Sequence, residues 1–230
     1  MKKLAITIFI LTFALVNGFA QDNKTKHFEV DAMVGMHSYS SSFFHAINSV
    51  TWIQDPASNF TEFSGYGKSM LPAINVSYFF NNNIGVTAGF LAITAENDLY
   101  VDDGTETNYD YSADQYNVNL GITGRIHFQE SPFSIHMGSG FVVGDFDISE
   151  SFTNNSGGTY LTGNDAGFGY YGSAAFHIKI ISFLSFKSEL VYSFIPAEIT
   201  LYGSDGNIEQ NVSNLNVGGV ALKTGLSFQF

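Results

Sequence analysis

The stretch YNVNLGITGRIHF, residues 116–128, decides the fold. Tyr116, Val118, Leu120, Ile122, Ile126 and Phe128 fall on one side of an extended chain. Asn117, Asn119, Gly121, Thr123, Arg125 and His127 fall on the other. Successive side chains of a strand point to opposite faces, so this period of two predicts one apolar and one polar face. Seven further segments repeat the pattern: residues 27–39, 70–80, 84–95, 133–143, 168–180, 184–194 and 220–230. In the first of them Phe28, Val30, Ala32, Val34 and Met36 oppose Glu29, Asp31, Gly35 and His37. Eight strands are predicted.

The connections alternate in length. Three are short, at 81–83, 129–132 and 181–183, and four are long, at 40–68, 96–113, 146–166 and 196–215. All short turns therefore gather at one end of the sheet, as in membrane barrels with short periplasmic turns and longer extracellular loops. Volume decides which face is inside. An eight-stranded barrel has an interior only just wide enough to be filled by side chains. The many Phe, Tyr, Leu and Ile of the apolar face do not fit there, whereas the Gly, Ala, Ser, Thr and Asn of the other face do. The expected fold is all-β: an eight-stranded antiparallel up-and-down transmembrane barrel with its apolar face in lipid.

Aromatic residues mark both expected interfaces. Phe28, Tyr78, Phe80, Phe128, Phe133, Phe186, Phe228 and Phe230 cluster at the short-turn ends, and Tyr39, Tyr116, Tyr170, Tyr192 and Phe194 near the long-loop ends. Composition agrees. Of 230 residues only 13% are charged, against about 25% in an ordinary soluble domain. A net charge of −12 excludes the basic footprint of a nucleic-acid binder. With no Cys, neither a disulfide framework nor a thiolate site can form. Residues 1–20 read as a cleaved secretory signal peptide: Lys2 and Lys3, an apolar run from Leu4 to Val16, then Gly18-Phe19-Ala20. The barrel domain is then 21–230.

On these residues the chain resembles the small eight-stranded outer-membrane β-barrel family, of the OmpA-barrel and OmpX kind. The most specific residues are Leu222, Leu226, Phe228 and the last residue, Phe230. In that family, alternating apolar residues ending in Phe form the signal read by the barrel-assembly machinery; Thr224 interrupts the pattern here. The resemblance implies a location in the bacterial outer membrane, with its lipid and lipopolysaccharide as surroundings. It also implies an extracellular or envelope protein partner not identifiable from sequence.

Four basic side chains, Arg125, Lys179, Lys187 and Lys223, carry the parity of the polar face, as do Glu29, Asp31 and Glu189 and the histidines His127, His136 and His177. Buried charges persist only when paired and hydrogen-bonded. A lumenal salt-bridge network of Glu29, Asp31, Arg125, Lys179, Lys187, Glu189 and Lys223 is therefore expected near the short turns. Sixteen of the 21 carboxylates instead lie in the long loops or at their strand junctions. Asp98, Asp102, Asp103 and Glu106 are the candidates for a hard divalent cation, Ca²⁺ or Mg²⁺, without the spacing of an EF-hand. No other cofactor is expected. Loop 40–68 is aromatic-rich, with Phe43, Phe44, Trp52, Phe60 and Tyr66. Lipid A deacylases of similar shape carry a His-x-Ser pair, which none of the six histidines provides. The expected function is non-enzymatic: adhesion, envelope maintenance or membership of an outer-membrane complex. An enzyme acting on lipid A and a narrow ion channel are the alternatives.

Overall fold

A computed structural model describes residues 28–39, 71–101, 107–128, 131–154, 157–203 and 208–230. Residues 1–20, read as a signal peptide, and loop 40–68 lie outside the described residues. Ten strands are found among the described residues: β1 (Phe28–Tyr39), β2 (Leu71–Phe79), β3 (Ile84–Val101), β4 (Thr107–His127), β5 (Phe133–Asn154), β6 (Gly157–Ile181), β7 (Leu184–Phe194), β8 (Pro196–Gly203), β9 (Ile208–Asn216) and β10 (Gly219–Gln229). They make eight staves, because β8 continues β7 beyond Ile195, and β10 continues β9 beyond Val217 and Gly218. Pro196, which has no amide hydrogen to give a ladder, stands at the first break. The two breaks face each other: Val217 N donates to Ile195 O at 3.0 Å, and Ile195 N to Asn216 Oδ1 at 2.9 Å.

Every pairing is antiparallel, and the ring runs β1-β2-β3-β4-β5-β6-β7-β10 and back to β1. A barrel closed this way has no free edge through its wall. The seam is sealed by the last residue. Phe230 N donates to Phe28 O at 2.8 Å, and Phe28 N to Phe230 O at 3.3 Å. At one short turn, Asn81 Oδ1 accepts from the backbone N–H groups of Asn83 and Ile84, which fixes the reversal.

The faces follow the alternation. Outside, Met36 is 69% exposed and Ile122 60%, while inside, Glu29 is 1% and Asp31 0% exposed. Stave β7 carries eleven residues from Leu184 to Phe194. That is roughly 34 Å of strand, or about 26 Å of height at a tilt of about 40°, matching the apolar band of a membrane barrel. Rings line its two rims. Phe28 and Tyr78 lie 5.1 Å apart at the lower one, and Phe141 lies 5.5 Å from Phe168 and 5.6 Å from Tyr170 at the upper.

Two expectations are corrected here. Residues 96–113, 146–166 and 196–215, read as loops, are mostly strand: β6 alone has 25 residues, more than twice the length of β7. The lumen is also not polar throughout. Its long-loop half is packed with Met33, Leu71, Leu91, Ile93, Val142, Phe146, Ile148, Ile195, Ile199, Leu201, Leu215 and Val217. Strand β5 explains both corrections. Up to Val143 its apolar side chains except Val142 face outward, and beyond it Asp145 and Asp147 face outward while Phe146 and Ile148 face in. Strand β8 does the same, with Ala197, Ile199 and Leu201 buried and Glu198 exposed. Below this level the outer solvent is hydrocarbon, and above it the outer solvent is water, so on β5 the apolar side changes over without any break in the strand.

One close approach needs glycine. Gly121, Gly140 and Tyr171 form a row across β4, β5 and β6. A Cβ on Gly121 would lie 2.5 Å from the Tyr171 hydroxyl, and one on Gly140 still closer to Leu120 O. The bare backbone of Gly121 makes room for the Tyr171 side chain, and that of Gly140 lets β5 lie close against β4.

Candidate functional site

The chemistry-bearing residues meet in the short-turn half of the lumen, beneath the apolar packing. Six staves and the closing strand supply them: Glu29 and Asp31 from β1, Asn75 from β2, Arg125 from β4, His136 from β5, His177 from β6, Lys187 and Glu189 from β7, and Lys223 and Gln229 from β10. Each sits on an inward position of its strand, so the ring of hydrogen-bonded backbone aims all of them at the axis.

Two ion pairs anchor the tier. Lys187 Nζ contacts Asp31 Oδ2 and also stands 3.8 Å from Glu29 Oε1. Lys223 Nζ lies 2.8 Å from Glu189 Oε2, which also accepts from Asn75 Nδ2 at 3.1 Å. The other oxygen of Glu29, Oε2, accepts from Gln229 Nε2 at 3.2 Å. Across the barrel, Glu29 Oε1 lies 3.5 Å from His136 Nδ1 and 3.8 Å from His177 Nε2. The two imidazoles stack, with centroids 3.7 Å apart and planes inclined by 19°. Arg125 is buried lower down. Its Nε donates to Asn82 O at 2.7 Å, and its guanidinium lies 3.9 Å over the Phe79 ring, a cation–π contact in a desolvated place. A polar cavity of about 20 Å³ lies between His136, Lys187, Glu189, Asn75 and Lys223, room for about one water molecule.

Five of the seven residues expected in the lumenal network, Glu29, Asp31, Lys187, Glu189 and Lys223, meet in ion pairs, and Arg125 is buried below them against Asn82 O and Phe79. Lys179 departs from the expectation: its parity is inward, but it is exposed at the short-turn rim, next to the irregularity between Lys179 and Ile181. His127 is likewise exposed there. The sequence reading placed His136 and His177 in the lumen but did not join them to Glu29. Their meeting depends on register: His177 pairs with Ser134, so it lies diagonally beside His136. Alternation within each strand carries no such signal. Of the candidate cation ligands, Asp102, Asp103 and Glu106 lie outside the described residues, and for Asp98 only the backbone pairing with Asp110 is described.

The four residues expected to form the assembly signal lie on the closing strand or at its end. Leu222, Leu226 and Phe230 project outward into the apolar band, with Phe228 half-buried beside them. Thr224, which interrupts the apolar alternation, is exposed within the same row.

An inside-out, closed antiparallel barrel with aromatic rims and a charged core is the architecture of small outer-membrane barrels, and its apolar belt fits the bacterial outer membrane. Solved structures carry the same fold. The outer membrane protein OprG of Pseudomonas aeruginosa is similar with a TM-score of 0.56 at 15% identity, over 91% of this chain and 98% of that one. A major outer membrane protein of Thermus thermophilus is similar with a TM-score of 0.52 at 13% identity, over 90% of this chain and 100% of that one. No protein-family model matches the chain, and no curated protein sequence does.

Proposed function

We propose that the protein is a non-enzymatic outer-membrane barrel whose membrane part anchors a rigid extracellular wall, and that this wall is its binding surface for an envelope or extracellular protein partner. One observation carries the reading: the apolar side changes from outside to inside along β5, which continues as one strand, and again from β7 to β8. A wall with a dry interior and an acidic, wetted exterior resembles an ordinary folded β-structure more than a set of mobile loops. Asp114, Asp145, Asp147 and Glu198 line its described outer surface. Such a surface favours basic or polar partners through complementary potential. The lumenal charge network serves to hold the anchor shut, and the Leu222, Leu226, Phe228 and Phe230 row serves assembly into lipid and lipopolysaccharide.

Because the chain has no cysteine, single substitutions report topology cleanly. On intact cells a membrane-impermeant thiol reagent is expected to label Ser149→Cys and to leave Ser182→Cys unlabelled until the envelope is opened. A variant with residues 145–166 replaced by a short Asn-Gly turn is expected to keep the heat-dependent gel mobility of a folded barrel and to lose adherence to protein-coated surfaces. Unchanged adherence would overturn the binding role, and hydrolysis of labelled lipid A by the purified barrel would replace it with an enzymatic one.

A further inference from the structure

The geometry points to a lumenal binding site for one borderline divalent cation of the zinc class, held by Glu29, His136 and His177. The three donors come from β1, β5 and β6. Stave β1 lies opposite β5 across the ring, so an ion here would tie the barrel across its diameter. All three side chains are buried, and their donor atoms lie within 4.8 Å of one another.

The separations leave room for an ion, and coordination would turn the imidazoles out of their 19° stack so that both nitrogen lone pairs meet it. Glu29 Oε1 stands 3.5 Å from His136 Nδ1 and 3.8 Å from His177 Nε2. Hydrogen bonds of this kind run to about 3.2 Å. Around a tetrahedral zinc, with ligands at about 2.1 Å, neighbouring donor atoms are roughly 3.4 Å apart. Glu29 Oε1 and both ring nitrogens of His177 are buried without a hydrogen-bond partner. Such groups are rare in folded proteins and call for a ligand.

The surroundings hold the donors in place. Gln229 Nε2 occupies Glu29 Oε2, which leaves Oε1 aimed at the imidazoles. Ser134 Oγ lies 3.4 Å from His136 Nε2, the nitrogen away from the site, and can accept from it in the tautomer that frees Nδ1. The Phe79 ring packs edge-on against His136 with centroids 5.9 Å apart. Two imidazoles and one carboxylate select zinc, nickel, copper or iron over calcium or magnesium, which take all-oxygen sets. Lys187, 3.8 Å from the same carboxylate oxygen, opposes a second cation. Its ammonium is drawn to Asp31, however, and the remaining oxygen of Asp31 has no hydrogen-bond partner and adds negative charge nearby. Apolar packing closes the lumen above, so the ion enters from the short-turn mouth.

The test uses the full barrel, folded in detergent, stripped with a chelator and dialysed. Zinc titration with metal analysis is expected to give one equivalent per chain that excess Ca²⁺ does not displace. Added zinc should raise the unfolding temperature, and Co²⁺ should give the visible absorption of a tetrahedral nitrogen and oxygen site. His177→Ala and Glu29→Gln are each expected to weaken zinc binding by at least about tenfold, while Lys179→Ala leaves it unchanged. The wild-type measurements stand alone should a variant fail to fold. Absence of bound zinc in folded wild type, or zinc binding that survives both substitutions, would overturn the site.

Discussion

Lys187 shows why the lumenal charges belong together. It is fully enclosed and faces Asp31 directly and Glu29 at 3.8 Å. Removing one partner of a buried pair leaves an uncompensated charge, which costs about 3–5 kcal/mol, whereas replacing both partners with apolar groups is often nearly neutral. Lys187→Met is therefore expected to lower the stability of the folded barrel by about that amount, measured by urea unfolding in lipid vesicles. Adding Asp31→Leu to Lys187→Met should recover part of the loss, with Glu29 still deprived of the nearby ammonium. Lys179→Ala, at the exposed rim, should stay within about 0.5 kcal/mol of wild type. Equal losses from Lys187→Met and Lys179→Ala would mean that the tier is not the stabilising unit described.

Strand β4 carries the membrane boundary on a single outward face. Ile122 lies midway along its apolar band from Tyr116 to Phe128, and Asp114 is the next outward residue above that band. A cationic side chain at the middle of the bilayer costs about 2–4 kcal/mol in a barrel and about 0–1 near the interface. Ile122→Arg is expected to show the larger cost in folding titrations, and Asp114→Arg almost none. Similar costs at both positions would move the boundary. The same face explains what could be read in advance. The eight alternating segments, the inside-out placement and the inward parity of every lumenal charge were legible, because a period of two is local. Residues 145–149, Asp145-Phe146-Asp147-Ile148-Ser149, alternate as strictly as 116–128. They read as loop because acidic density signals solvation and because their apolar side lies on the opposite parity. Alternation states that two faces differ, and only the solvent outside decides which is buried. The Glu29, His136 and His177 cluster was illegible for a different reason: it spans the barrel and depends on the register of separate strands.

At the scale of the whole molecule, the two tiers of the lumen oppose permeation in different ways. The lower tier is a set of charges held by each other, with which a passing ion can exchange. The upper tier offers no such exchange: Leu71, Leu91, Ile93, Val142, Ile195 and Val217 present hydrocarbon across the axis. Moving an ion from water into such a medium without partners costs far more than thermal energy supplies. Among the described residues, then, the wall is a plug with a polar base, and planar-bilayer recordings of the purified barrel should show no steady conductance. The tiers predict an order of effects. Breaking the lower one with Lys223→Ala should destabilise the barrel and leave it electrically silent. Widening and wetting the upper one with Ile93→Ser, Phe146→Ser and Ile199→Ser together is the change expected to let ions through. Conductance appearing with Lys223→Ala alone would locate the barrier in the charged tier and restore the channel reading.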